Sequence, residues 1–227
     1  MTRPGKLIVV GGHSRHVGKT SLVTALLKCL APSEWVAVKI SGHSHRRAPG
    51  ALDARSAAQA ARCLEAGARK AILLRAPDER FAEAAAAVRD MLDAGENVIA
   101  ESNRLVGWCR PDMVFFVVAP AIPDWKPSSW TCLRAADAIV VLVGADLSGL
   151  SLAPLDDATL ALPRFCLGPG HAETSALASW LRQRHGAGAV NHCSVAGNEF
   201  AQTHSRDNAM ATINFPRLGS TSVPQDS

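Results

Sequence analysis

Short apolar runs alternate with segments of helical periodicity along most of this chain. Seven runs predict strands, at residues 7–10, 35–40, 71–74, 97–100, 112–118, 138–143 and 161–167. Five segments with apolar side chains at helical spacing predict helices, at residues 21–30, 53–67, 80–94, 130–136 and 173–185. Alternating strands and helices are typical of βα units, so we predict an α/β fold, a three-layer sandwich with a mostly parallel central sheet.

The periodicity fades after residue 185, where Gly, Asn, Ser and Thr become frequent. Within this tail, only residues 209–215 suggest an extended segment. We therefore predict one α/β domain over residues 1–185 and a C-terminal appendage over residues 186–227. The appendage is expected to be poorly ordered or to lie on the body of the domain.

The junction between the first predicted strand and the first predicted helix carries the most specific motif. Gly18-Lys19-Thr20 opens the helix after a glycine-containing turn, which is the order of parts in a phosphate-binding loop, or P-loop. In such a loop, main-chain N–H groups at a helix N-terminus surround an anion. The lysine contacts the terminal phosphates, and the threonine hydroxyl ligates magnesium.

The loop is one residue longer than the common pattern GxxxxGK[ST], because its first glycine is Gly12 and position 13 is a histidine. We expect the main-chain amides of this loop to bind phosphate in preference to the rings of His13 and His16. The predicted phosphate-binding residues are Gly12, His13, Ser14, Arg15, His16, Val17, Gly18, Lys19, Thr20 and Ser21.

Ligands of open parallel sheets bind outside the carboxyl ends of the strands, so residues that follow each apolar run are further candidates. Glu101 directly follows the fourth run and is the candidate acidic partner, so Thr20 and Glu101 are the predicted magnesium ligands. Asn103 is a candidate to support Glu101. Lys39 lies at the carboxyl end of the second run and is a candidate for phosphate or substrate contact. Lys19 and Glu101 are the predicted catalytic residues.

Three other segments are open to two interpretations each. His43 and His45, followed by Arg46 and Arg47, suggest either a site for an anionic substrate or metal, or an exposed polar loop. Asp124-Trp125-Lys126-Pro127 suggests either a base-binding pocket or lid, or aromatic packing. Asp146 is a weaker candidate for contact with a guanine edge, since the lysine-bearing base motif of GTPases is missing.

Composition narrows the class of protein without pointing to a particular activity. The chain has 227 residues, of which 48% are hydrophobic and 19% charged, with a formal net charge of +4. There is no arginine-rich run and no aromatic RNA-binding motif, so nucleic acid is not an expected partner. The six cysteines are far apart, no secretory signal pattern is visible, and no apolar run approaches the ~20 residues of a membrane span. A cytoplasmic protein that does not bind membranes is expected.

The motifs of the first 105 or so residues resemble the molybdopterin-guanine dinucleotide biosynthesis protein B family, in the dethiobiotin synthetase-like branch of P-loop NTPases. The similar segments are residues 10–12 with 18–22, the strand 36–39 with His43 and His45 after it, residues 65–68, and the strand end 98–101. The chain differs from that family at Arg15 and His16, where small residues are expected. It differs also at Ser102-Asn103, which replaces a glycine.

This resemblance implies a P-loop NTPase fold, GTP (or ATP) and Mg²⁺ as cofactors, and a role in molybdenum cofactor biosynthesis. It also implies assistance to a molybdenum-cofactor nucleotidyltransferase, a homodimer, and slow NTP hydrolysis if the chain is an enzyme. Two alternatives remain open at this point. One is an ATP-dependent ligase similar to dethiobiotin synthetase, in which Lys39 neutralises a carboxylate or carbamate, and the other is a non-catalytic nucleotide-sensing partner.

Overall fold

A parallel sheet of eight described strands forms the centre of the molecule. The computed structural model describes residues 4–30, 34–42, 54–119, 125–142, 159, 161–168, 174–185 and 209–214. The strands are β1 (Leu7–Gly12), β2 (Trp35–Ser41), β3 (Lys70–Arg75), β4 (Asn97–Glu101), β5 (Met113–Val118), β6 (Ala138–Leu142), β7 (Arg164–Leu167) and β8 (Ala209–Asn214). Their order across the sheet is β7-β6-β5-β1-β4-β2-β3-β8, and every described pairing is parallel.

Helices cover both faces of this sheet. They are α1 (Lys19–Cys29), α2 (Ala54–Glu65), α3 (Phe81–Asp93), α4 (Pro127–Arg134) and α5 (Thr174–His185). The buried residues fall into two clusters: α1, α2 and α5 pack on one face of the sheet, and α3 and α4 pack on the other. Burial on both faces explains why the strands appear in the sequence as continuous apolar runs. The predicted three-layer α/β sandwich is confirmed.

Glycines follow two of the helices, α2 and α3. Gly67 follows α2 with a φ of 104°, and Gly95 follows α3 with a φ of 83°. At the first of these ends, the Ala68 amide donates to the carbonyl of Cys63, and the Gly67 amide donates to the carbonyl of Leu64. A left-handed residue without a side chain allows these two carbonyls to accept hydrogen bonds at the end of the helix.

The register of the central strands brings their carboxyl ends together. β1 lies between β4 and β5, with Val10 opposite Glu101, and β2 lies on the far side of β4, with Lys39 also opposite Glu101. The chain passes from one side of β1 to the other between β4 and β5. In doubly wound sheets, this change of direction opens a crevice at the carboxyl ends of the strands.

The appendage predicted for residues 186–227 contributes a strand to the sheet. β8 pairs with β3 along its full length, from Lys70 opposite Ala209 to Arg75 opposite Asn214. This strand coincides with the extended segment predicted at residues 209–215. The other residues of the appendage lie outside the described part of the chain, and the division at residue 185 stays a prediction.

The described residues also include most of the cysteines and all of the helices named above. The described cysteines, which are Cys29, Cys63, Cys109, Cys132 and Cys166, are free thiols. None of the described helices has the length and apolar character required to cross a membrane.

Candidate functional site

A crevice of ≈ 1140 Å³ opens at the carboxyl ends of β1, β2, β3 and β4. It is the place where an open parallel sheet is expected to bind its ligand. Eight of the predicted site residues line the crevice: Arg15, His16, Gly18, Lys19, Thr20, Ser21, Lys39 and Glu101. The other four, Gly12, His13, Ser14 and Val17, are buried in the base of the loop.

The loop between β1 and α1 contains two residues in the left-handed region. His16 has a φ of 61° and Gly18 a φ of 90°. Such turns direct successive main-chain N–H groups toward the same side of the backbone. Gly18 is the N-cap of α1, and no described side chain caps this helix. The first N–H groups of a helix have no partner within it, so the start of α1 presents uncapped donors at the crevice.

Close packing at the base of the loop explains why position 12 is a glycine. A Cβ atom there would lie 2.8 Å from Val17 Cγ2 and 2.9 Å from the carbonyl oxygen of Val117. The Val17 side chain is fully buried in the core on the α1 side of the sheet. A side chain at position 12 would therefore force the loop away from β1.

The Lys19 side chain folds back over its own loop. Its Nζ donates a hydrogen bond to the Ser14 carbonyl oxygen at 2.6 Å, and the side chain is half-buried. Burial lowers the pKa of the Lys19 ammonium to about 8, against the favourable charge of Glu101, and the charges of Lys126 and Lys39 lower this pKa further. An ammonium that is desolvated among other cations favours an anionic partner.

A chain of four polar side chains links α1, β4, β2 and α2 across the crevice. Thr20 Oγ1 donates to Glu101 Oε2 at 2.7 Å, and Lys39 Nζ lies 3.1 Å from Glu101 Oε1. Lys39 Nζ also donates to Gln59 Oε1 at 2.8 Å. Glu101 has only 12% of its side chain exposed, so Lys39 and Thr20 fix the orientation of a largely buried carboxylate. The two predicted magnesium ligands are thus in direct contact.

The donor set fits a magnesium ion that accompanies a triphosphate. Magnesium holds octahedral oxygen ligands at about 2.0–2.1 Å, which separates adjacent ligands by about 2.9 Å. The 2.7 Å between Thr20 Oγ1 and Glu101 Oε2 is close to this separation. Magnesium sites often use one or two protein oxygens together with water and phosphate. Among the described residues, no group of three or more His, Cys, Asp and Glu side chains could hold a metal.

Asn103 has a contact that its sequence position did not predict. Its Oδ1 accepts a hydrogen bond from the Gly12 amide, and its Nδ2 donates to the Gly12 carbonyl, both at 2.8 Å. The two residues are 91 positions apart in the chain. Asn103 therefore joins the end of β4 to the base of the P-loop, and it holds Glu101 and the loop in a fixed relation.

Replacing Asn103 by alanine is expected to destabilise the protein by about 2–3 kcal/mol, because both polar groups of buried Gly12 lose their partner. Urea unfolding would measure this loss. Asn97→Ala is a matched control, since the Asn97 side chain accepts one main-chain N–H, from Lys6, near the opposite end of the sheet. An Asn103→Ala variant that loses no more stability than Asn97→Ala would contradict this role.

His13 belongs to an aromatic cluster, although the sequence suggested phosphate contact. Its side chain is 1% exposed, and its ring centroid lies 5.1 Å from that of Trp125. Its amide donates to the Val117 carbonyl at 3.3 Å, so this N–H points to β5. Trp125 stacks in turn on Trp130, with ring centroids 4.7 Å apart. For Trp125 the structure agrees with the packing interpretation.

Several other candidates fall outside the described residues. They are His43, His45, Arg46, Arg47, Asp124 and Asp146. Lys126 is described and lines the crevice, and its amide donates to the His13 carbonyl at 3.0 Å. This hydrogen bond connects the start of α4 to the P-loop.

Comparison with known proteins identifies the fold but not the family. No protein-family profile and no curated protein sequence matches this chain. Among solved structures, the chain is similar to the crystal structure of HypB from Helicobacter pylori in complex with nickel. The TM-score is 0.53 at 14% sequence identity, and the match covers 84% of this chain and 92% of that one. This likeness, together with the loop and sheet described above, shows a P-loop NTPase fold.

Proposed function

We propose that this chain binds a nucleoside triphosphate together with magnesium, at the crevice formed by the P-loop, Lys39 and Glu101. The observation that carries the proposal is the arrangement around Lys19. The half-buried Lys19 ammonium folds over the loop, and the helix that follows the loop begins without a described side-chain cap. The Thr20–Glu101 oxygen pair, which is suited to magnesium, lies beside it. This combination matches the charge of a magnesium triphosphate.

The proposal extends to the identity of the nucleotide and to its biological use. The sequence resemblance to the molybdopterin-guanine dinucleotide biosynthesis protein B family supports GTP as the preferred nucleotide. It also supports assistance to a molybdenum-cofactor nucleotidyltransferase, slow hydrolysis, and a homodimer in the cytoplasm. Thr20 and Glu101 would hold magnesium, and the magnesium would shield the phosphate charges. Lys19 and the loop amides would orient the terminal phosphates.

One observation favours the ATP-dependent ligase as the second candidate. Lys39 lies in the crevice wall between Gln59 and Glu101, where its ammonium could neutralise a carboxylate or carbamate close to the terminal phosphate. The first candidate function uses GTP and the second uses ATP, so one binding experiment distinguishes them.

Calorimetric titration with GTP, ATP, CTP and UTP, each with and without magnesium, tests the proposal. We expect GTP to bind most tightly and magnesium to strengthen its binding. Tighter binding of ATP would favour the ligase, and no binding of any triphosphate would refute the proposed function. Hydrolysis measured with and without a candidate nucleotidyltransferase would distinguish an enzyme from a nucleotide sensor.

Triphosphate affinity is expected to decrease as the pH rises above about 8. The unbound protein loses the Lys19 proton in this range, whereas phosphate charges next to Lys19 raise its pKa in the complex. Binding should therefore take up a proton at pH 8.5 and almost none at pH 7. Calorimetry in two buffers of different ionisation enthalpy measures this uptake. Equal proton uptake at both pH values would show that Lys19 does not contact the triphosphate.

A further inference from the structure

The crevice is larger than the site of one triphosphate. Its volume of ≈ 1140 Å³ extends from Lys126 and the P-loop, across β4 and β2, to Arg75 at the end of β3. Pockets for single small ligands usually measure about 300–1,000 Å³. The part beyond Glu101 and Lys39, between α2 and the end of β3, is distant in sequence from the P-loop and needs a separate explanation.

One stripe of α2 faces this second part of the crevice. Arg55, Gln59 and Arg62 line it together with Ser56. Positions i, i+4 and i+7 of a helix lie on the same side, and most other residues of this helix are alanines. Arg75, half-buried at the end of β3, lines the same part of the crevice. The helix thus presents its longest polar side chains at one wall of the crevice.

The crevice as a whole carries an excess of positive charge. Among the described lining residues, eight are Arg or Lys and three are Asp or Glu. Asp78 forms an ion pair with Arg104, and Glu101 forms one with Lys39. Arg62 donates to a carbonyl of its own helix, and Arg55 contacts the His16 ring, so neither is paired with a described carboxylate. Arginines without a described carboxylate partner, here Arg55 and Arg62, are suited to phosphate or carboxylate groups.

A small apolar cavity adjoins the crevice. Its walls include Val23, Ala37, Ala60, Cys63 and Leu73, and it lies between α1, α2, β2 and β3. The crevice and this cavity share Lys39, Gln59 and Glu101. A ligand with an anionic group and a short hydrocarbon group could thus place the former among the arginines and the latter in the cavity.

We propose that α2 and the end of β3 form a second binding site, for a small organic anion with a phosphate monoester or carboxylate next to a short apolar group. The anion binds beside the nucleotide, within reach of the terminal phosphate, so the inference rests on the proposed function. Arg55, Arg62 and Arg75 recognise its charge, and the cavity next to Cys63 accepts its apolar group.

The test uses n-butyl phosphate as the probe and the full chain saturated with magnesium and a non-hydrolysable triphosphate analogue. We expect calorimetry to give one equivalent of bound n-butyl phosphate, with an affinity higher than that of inorganic phosphate. Pentanoate replaces the phosphate by a carboxylate, and the more tightly bound of the two probes identifies the preferred charged group. Arg62→Gln and Arg75→Gln should each weaken binding on the order of tenfold. Lys28→Gln is the matched control, since Lys28 is exposed in the last turn of α1.

The outcomes separate this inference from the proposed function. If the chain does not bind the triphosphate analogue, the proposed function is refuted. Triphosphate binding without n-butyl phosphate binding would overturn the second site alone. Competition between the two ligands, equal affinity for inorganic phosphate, or arginine variants that lose only triphosphate affinity would also overturn it.

Discussion

Triphosphate binding is expected to be lost in a Lys19→Ala variant, with affinity reduced at least about a hundredfold. The ammonium makes charge-assisted hydrogen bonds with the terminal phosphates, each of about 1.5–3 kcal/mol, and a hundredfold loss corresponds to about 2.8 kcal/mol. The fold should remain intact, because the only described hydrogen bond of this ammonium joins it to its own loop, at Ser14. Removal of a cation with a lowered pKa also relieves a desolvation penalty.

Calorimetry with the preferred triphosphate, combined with thermal unfolding, measures both parts of this prediction. Lys28→Ala removes an exposed lysine from the opposite end of the same helix and should change neither quantity. Unchanged triphosphate affinity in Lys19→Ala would exclude the P-loop as the binding site. A large loss of stability would show instead that Lys19 has mainly a structural role.

Removing the charge of Glu101 is expected to abolish the effect of magnesium on triphosphate binding. The neutral amide of Glu101→Gln is a poor magnesium ligand, so the variant should lose at least about tenfold in affinity with magnesium present. In the presence of EDTA, the variant should bind the triphosphate as tightly as the unmodified protein, or more tightly. The reason is that the substitution removes a negative charge next to the phosphates.

A loss of triphosphate affinity that occurs with magnesium but not with EDTA distinguishes a metal ligand from a structural carboxylate. Titration with magnesium at a fixed triphosphate concentration would provide the measurement. Glu65→Gln, at the exposed end of α2, removes a carboxylate outside the crevice and serves as the control. Equal losses with magnesium and with EDTA would indicate that Glu101 acts by holding Lys39 and Thr20, and not by binding magnesium.

The proposed second site bears on the reaction in which the bound nucleotide takes part. A nucleotide sensor needs only the P-loop and a segment that responds to it, whereas group transfer needs an acceptor close to the terminal phosphate. Arg62 of α2 and Arg75 of β3 line the crevice on elements other than the P-loop, whereas Arg55 contacts His16 of that loop. Binding of an organic anion there would therefore favour a transfer or ligase reaction over a sensing role, and the n-butyl phosphate experiment bears on this choice.

The sequence by itself was sufficient to predict the elements and the phosphate loop. Strands buried on both faces appear as apolar runs, and Gly67 and Gly95 mark helix ends by their left-handed conformation. Gly18-Lys19-Thr20 and Glu101 could be assigned roles because their chemistry depends on positions next to strand ends. These features are local, so a window of a few residues contains the physical information that determines them.

Only the tertiary structure decided which distant residues meet. The insertion of β4 between β1 and β2 places Glu101 against both Thr20 and Lys39, and it brings Asn103 to Gly12 across 91 positions. Contacts with Val117 and Trp125 place His13 in the aromatic cluster. The polar side chains of α2 line the same crevice as Arg75, which lies on a different element. The periodicity of the sequence indicates whether a side chain is buried. Its neighbours are determined by strand order and register, and strand order and register depend on the packing of the whole chain.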